Sequence, residues 1–237
     1  MTEPIVLCFS GGKDSTLALQ AIQHQGRYDV VALLTTVTSD YARVSMHGVR
    51  RALLHQQAIA LGLPLTEVAV PAGSSNEVYE RAMGKTLAQF RSHGIHRVAF
   101  GDIFLEDLRA YREQRTAECG LACVFPIWKR ETAALAHAFI RDGFKAVVVC
   151  VDPGVLDASF AGRPFDEALL ADLPVGVDPC GEHGEFHTFV WDGPIFQHPI
   201  PVSIGTVVER DNFVYCDVVP QAAADLRRRV PKTGVTR

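Results

Sequence analysis

Runs of consecutive apolar, often β-branched residues alternate along this chain with stretches of helical spacing. That alternation restricts its folds more than any other feature. Residues 5–9 (Ile-Val-Leu-Cys-Phe) read as a buried strand. Residues 14–25 then set Leu17, Ala18, Ala21 and Ile22 on one helical face, closed by Gly26. Residues 30–37 read as a second strand and 47–61 as a helix closed by Gly62 and Pro64. A third strand at 65–70, a helix at 76–93, a fourth strand at 97–100 and helices at 105–119 and 130–141 follow, with a fifth strand at 145–151. The strands are continuous rather than alternating in polarity, as both-face burial requires. The expectation is an α/β fold, a parallel sheet with helices on both faces. Ligands of such sheets bind beyond the strands' carboxyl ends, which here carry residues 10–15, Thr35 to Thr38, and Gly101-Asp102.

The texture changes near residue 152, where Gly and Pro become frequent. A short helix at 165–173 and strands at 186–191, 202–209 and 212–219 suggest a smaller C-terminal α+β lobe, the last two strands pairing. The expected division is 1–152 for the α/β domain, 153–222 for the smaller lobe and 223–237 for a flexible tail. With 48% hydrophobic and 21% charged residues, a packed core rather than disorder is expected. No apolar run approaches a membrane span, and the N-terminus lacks the charged region and cleavage site of a signal peptide. The formal net charge of −4 disfavours nucleic acid as a partner. Cys8, Cys119, Cys123, Cys150, Cys180 and Cys216 form no Cys-x-x-Cys pair, so a reduced, cytoplasmic setting is expected. A homodimer stays open.

The sharpest local signal is Ser10-Gly11-Gly12-Lys13-Asp14-Ser15, between the first strand and first helix. Helix N-termini present unpaired N–H groups and partial positive charge, an anion site in waiting. Gly11 and Gly12 let the backbone approach phosphate oxygens. Ser10 and Ser15 supply hydroxyl donors, and Lys13 a point charge. Asp14 could cap the helix or hold a magnesium ion on the phosphates. The plain alternative is an ordinary capped turn, which a lone Gly-Gly would favour but the whole hexapeptide does not. The pattern is neither Walker A nor Gly-x-Gly-x-x-Gly.

This hexapeptide resembles the PP-loop of the ATP pyrophosphatase superfamily, whose members cleave ATP between the α- and β-phosphates. Further segments sharpen the resemblance: Ser45-Met46-His47-Gly48-Val49-Arg50, Gln57-Ala58-Ile59-Ala60-Leu61-Gly62-Leu63-Pro64, Gly101-Asp102-Ile103, Phe125-Pro126-Ile127-Trp128, and Asp178-Pro179-Cys180-Gly181-Glu182-His183-Gly184-Glu185-Phe186-His187-Thr188. Together they resemble the diphthine–ammonia ligase (diphthamide synthase-like) family, over residues 4 to 197. The resemblance implies an amide-forming ligase using ATP and Mg2+. A substrate carboxylate is adenylated with loss of pyrophosphate, and ammonia displaces AMP. In archaea and eukaryotes that carboxylate is diphthine on elongation factor 2. His187 stands where that family usually carries a glutamate. The variant resembles a bacterial branch proposed to amidate a small carboxylate, such as a corrinoid intermediate.

Glu182, Glu185 and His187 are interleaved with Gly181 and Gly184, which favour a tight loop entering a strand. In extended chain Glu185 and His187 point the same way, placed to orient ammonia or take its proton. The plain alternative has the glutamates satisfying loop amides and His187 packed in a core. Zinc on Cys180, His183 and His187 is disfavoured by spacing, and Cys180 reads as a small buried residue. The expected catalytic set is Lys13, Asp14, Glu182, Glu185 and His187. The expected nucleotide set is Ser10, Gly11, Gly12, Lys13, Asp14, Ser15, Thr35, Met46, His47, Gly101 and Asp102. Arg109 and Arg112 could clamp pyrophosphate or a carboxylate. Competing readings are a tRNA-thiolating enzyme, disfavoured by the absence of paired cysteines and a basic appendage, and a nucleotide-binding sensor without turnover.

Overall fold

A computed structural model describes residues 2–41, 43–44 and 48–221. Strand β1 (Glu3–Cys8) leads through the glycine turn into helix α1 (Lys13–Gln25), then β2 (Tyr28–Thr38), a short β3 (Arg43–Val44), α2 (Arg51–Leu61) and β4 (Leu65–Val70). Helix α3 (Asn76–Ser92), β5 (Arg97–Ala99), α4 (Glu106–Glu118) and β6 (Ala122–Val124) complete the first half. Strands β4, β2, β1, β5 and β6 pair in that order and all run parallel, while β3 pairs antiparallel with the end of β2. The order reverses between β1 and β5, so their carboxyl ends flank the crevice where such folds hold ligands.

The continuous apolar runs are buried on both faces, as their composition requires. Ile5, Leu7 and Phe9 face the core under α1 and α2, alongside Leu17, Leu19, Leu53 and Leu54. Val6, Leu34 and Val98 face a second core with Leu87 of α3 and Leu121.

The second half holds α5 (Thr132–Arg141), β7 (Lys145–Val151), α6 (Glu167–Asp172), β8 (Phe186–Asp192), β9 (Val202–Arg210) and β10 (Phe213–Pro220). Its sheet is antiparallel, in the order β8-β7-β10-β9, and β9 and β10 pair as the sequence suggests. Residues 145–151, expected as the fifth parallel strand, belong to this sheet instead. Every residue of β7 but Lys145 is buried, so its apolar run looks the same in either sheet. The fifth parallel place is taken by β6, only three residues long and too brief to stand out as a run.

Helix α2 starts at Arg51 rather than at residue 47. Val44 pairs with Val37, and Gly48, at φ 67°, turns the chain back so that the Val44 amide reaches the Val49 carbonyl at 2.8 Å. Met46, His47 and the tail 223–237 lie outside the described residues. The halves share one core: Phe139, Phe144, Phe165, Phe186 and Phe189 are contiguous with Ile5, Leu7 and Leu19. No helix among the described residues is long and apolar enough to cross a membrane.

Candidate functional site

The glycine turn sits where β1 delivers it, and both halves of the chain close around it. Gly11 adopts φ 83°, a left-handed conformation that glycine tolerates without strain. Gly12 caps α1 with no side-chain hydrogen bond of its own. The Ser10 and Ser15 hydroxyl oxygens lie 3.3 Å apart. The Gly12 N–H faces the Ser10 hydroxyl at 3.4 Å, and the Ser15 hydroxyl donates to the Gly12 carbonyl at 3.0 Å. Hydroxyl and amide donors therefore converge on the first turn of a helix whose dipole favours an anion.

Across the crevice, Gly101 follows β5 so closely that a Cβ there would lie 3.0 Å from the Asp14 carbonyl and the Ser15 nitrogen. A side chain at 101 would crowd the Asp14–Ser15 peptide, so glycine suits this close approach. Asp102 does not cap α4. Its carboxylate pairs with Arg112 at 2.7 Å, and burial raises its pKa while the guanidinium pulls it down. Arg112 lies over the Phe100 ring, 4.5 Å from its centroid. Arg109 bonds Glu113 at 2.8 Å and lies over the rings of Phe125 and Trp128. Both arginines hold partners within their own half. Thr35 is buried in β2.

The second half reaches the turn through β8 and the loop before it. The Lys13 N–H donates to the Thr188 hydroxyl at 3.0 Å, and the Val190 N–H to the Gly11 carbonyl at 2.9 Å. Lys13, only 2% exposed, places its ammonium on the Asp14 carboxylate at 2.8 Å and on the Cys180 carbonyl. The rings of Phe186 and Phe165 lie 5.5 and 5.9 Å from that nitrogen. Burial works against its charge, but Asp14, Cys180 and Glu182 together outweigh it and the net pKa lies above the ordinary lysine value.

The loop 178–185 is held by its acids. Asp178 accepts from the Cys180 amide at 2.7 Å and from the Thr132 hydroxyl at 2.7 Å. Glu185, 3% exposed, accepts from the Asp178 and His183 amides at 3.1 and 2.9 Å. Glu182 reaches into the first half and accepts from the Ile103 and Phe104 amides at 3.0 and 2.8 Å. Burial raises its pKa, those amides lower it, and Asp14 raises it further. Gly181, at φ 64°, has no room for a side chain: a Cβ would meet the Phe186 carbonyl at 2.6 Å. Cys180 is buried, and burial pushes its thiol up to about 12.

His187 lies on β8 opposite Cys150, half-buried, within the electrostatic reach of Lys13, Asp14 and Glu185. Burial first, and the Lys13 charge second, push its pKa below the ordinary value, so its imidazole is neutral at pH 7. No cluster of three or more His, Cys, Asp or Glu able to hold a metal ion occurs among the described residues. The structure thus places Ser10, Gly11, Gly12, Lys13, Asp14, Ser15, Gly101, Glu182 and His187 near one another. Gln57 belongs with them and was missed as a site residue. Its signal was a polar side chain in the apolar stripe of Leu53, Leu54, Ala58 and Leu61.

Residues 3–123 match the diphthamide synthase N-terminal domain and residues 131–219 the diphthamide synthase C-terminal domain. A diphthine–ammonia ligase of Danio rerio is 28% identical over 231 residues, covering 88% of this chain and 90% of its own length. One of Bos taurus is 26% identical over 229 residues, covering 86% and 84%. A solved structure described as a predicted subunit of tRNA methyltransferase from Methanocaldococcus jannaschii matches 60% of this chain and 77% of its own, at 17% identity and a TM-score of 0.40. With both domains matched in order across most of its length, the chain belongs to the diphthamide synthase family and is an ATP-dependent ligase of that kind.

Proposed function

We propose that the protein forms an amide from a carboxylate and ammonia at the expense of ATP, as its diphthine–ammonia ligase relatives are named for. One observation carries this reading: the glycine turn is in direct contact with the acidic loop and the strand that follows it, far away in sequence, through Lys13. The triphosphate binds the turn, with the Ser10 and Ser15 hydroxyls and the first-turn amides of α1 as donors. A substrate carboxylate oxygen attacks the α-phosphorus, pyrophosphate leaves, and ammonia then displaces AMP from the acyl group. His187, neutral, takes the proton that ammonia sheds as its C–N bond forms. Glu182 and Glu185 act as positioning residues, because their oxygens hold loop amides.

Magnesium fits this set through Asp14. The ion is commonly held by one or two carboxylates plus substrate phosphates, and Asp14 keeps part of its carboxylate exposed at the rim. When bound it neutralises phosphate charge. Diphthine on elongation factor 2 is the leading carboxylate. His187, in the place of a family glutamate, favours testing small carboxylates such as corrinoid acids beside it.

The test supplies ATP, magnesium, ammonium and each carboxylate in turn. AMP and pyrophosphate in equal amounts are expected, with Ser10→Ala lowering turnover by roughly tenfold or more through loss of one donor. ADP as product would overturn the adenylation chemistry.

A further inference from the structure

Gln57 is completely buried in α2, and its amide nitrogen donates two hydrogen bonds, to the Gly11 carbonyl at 2.9 Å and to the Val190 carbonyl at 2.5 Å. Two carbonyl acceptors on one side identify that end of the amide as nitrogen. Its Oε1 has no hydrogen-bond partner among the described residues. It lies so near Gly11 that a Cβ there would be 2.4 Å from it. A residue serving only to fill the core would not carry an unsatisfied carbonyl, since leucine or methionine fills similar space without that cost.

The bonded carbonyl belongs to the peptide joining Gly11 to Gly12. In a trans peptide the C=O and N–H point opposite ways. Holding the Gly11 carbonyl on Gln57 and on the Val190 N–H therefore aims the Gly12 N–H the other way, toward the Ser10 hydroxyl. Without that hold, flanking glycines leave the peptide free to rotate.

We propose that Gln57 is a positioning residue for the nucleotide turn, orienting the Gly11–Gly12 peptide so that its N–H is preset toward an ATP phosphate. The proposal rests on the reading above, that the turn binds the triphosphate. It adds that α2 and β8 together preset the donor before the nucleotide arrives.

The test measures binding of α,β-methylene-ATP by calorimetry, with steady-state kinetics and thermal unfolding, on unaltered protein, Gln57→Met and Gln57→Glu. Gln57→Met should weaken analogue binding and raise KM for ATP by roughly tenfold or more, leaving KM for ammonium within about twofold. Gln57→Glu should be as weak at pH 8 and recover toward the unaltered affinity as pH falls, because a protonated carboxyl regains one donor. Equal affinity in folded Gln57→Met overturns the inference while leaving the nucleotide reading intact. Failure of the unaltered protein to bind the analogue overturns both. Loss of folding in both variants overturns the inference in favour of a role in holding the fold.

Discussion

His187 is the residue whose environment makes the clearest demand on pH. Burial and the neighbouring Lys13 charge depress its folded pKa below the ordinary value of 6.5. In the unfolded chain it takes up a proton near that value, while in the folded chain it resists until lower pH. Between the two, the unfolded state binds more protons, so stability falls as pH falls. Its contribution is complete above about 6.5 and fades below. Denaturant titrations of His187→Gln should therefore show a shallower loss of stability on acidification than unaltered protein; parallel curves would contradict the depressed pKa. Much of the turn's shape was legible, because its glycines and the start of the helix it opens lie within six adjacent residues. The surroundings of Lys13 were not. Its ammonium meets Cys180 from 167 positions away, and nothing near Lys13 in sequence foretells that partner.

At the scale of elements, the loop 178–185 has no regular structure and depends on its acids for shape. Glu185 anchors two of its amides from a buried position. Glu185→Ala leaves those donors without a partner and should cost roughly 1–3 kcal/mol. Glu185→Gln, which keeps one acceptor, should cost less. Chemical denaturation measures both, and an alanine variant as stable as the parent would remove the loop-anchoring role. The glycines correctly signalled a tight loop entering a strand. Helix and strand positions were also readable, since 3.6-residue spacing and continuous apolar runs are intrinsic to each segment. Sheet membership was not readable for β7, because a strand buried on both faces carries no mark of its neighbours' direction. The early start expected for α2 failed for a related reason. Gly48 turns at positive φ against the Tyr215 ring, a contact from the far end of the chain.

For the molecule as a whole, the shared core predicts one cooperative transition. Phe139 packs against Phe144 at 4.9 Å and Phe165 at 5.5 Å between ring centroids, in the same cluster as Leu7 and Leu19. Burying each such ring contributes roughly 1.5–3 kcal/mol. Calorimetric and van't Hoff enthalpies should agree for the unaltered protein, and a fragment spanning 1–126 should not fold alone. Two resolved transitions would show the halves to be independent. Composition changes near residue 152, but it could not reveal that the two sheets are fused through one core. Two kinds of bond cross between the halves: Arg43 and Arg50 pair by side chain with Asp217 of β10, while those around the glycine turn have another character. Val190 N–H meets Gly11 C=O, the Lys13 ammonium meets the carbonyl of Cys180, and Glu182 meets the amides of Ile103 and Phe104. Each uses main-chain atoms on at least one side, which every amino acid supplies. Sequence drift can therefore replace many side chains around the turn without unpicking that part of the seam, whereas chimeras joining halves of distant relatives must keep Asp217 matched to Arg43 and Arg50.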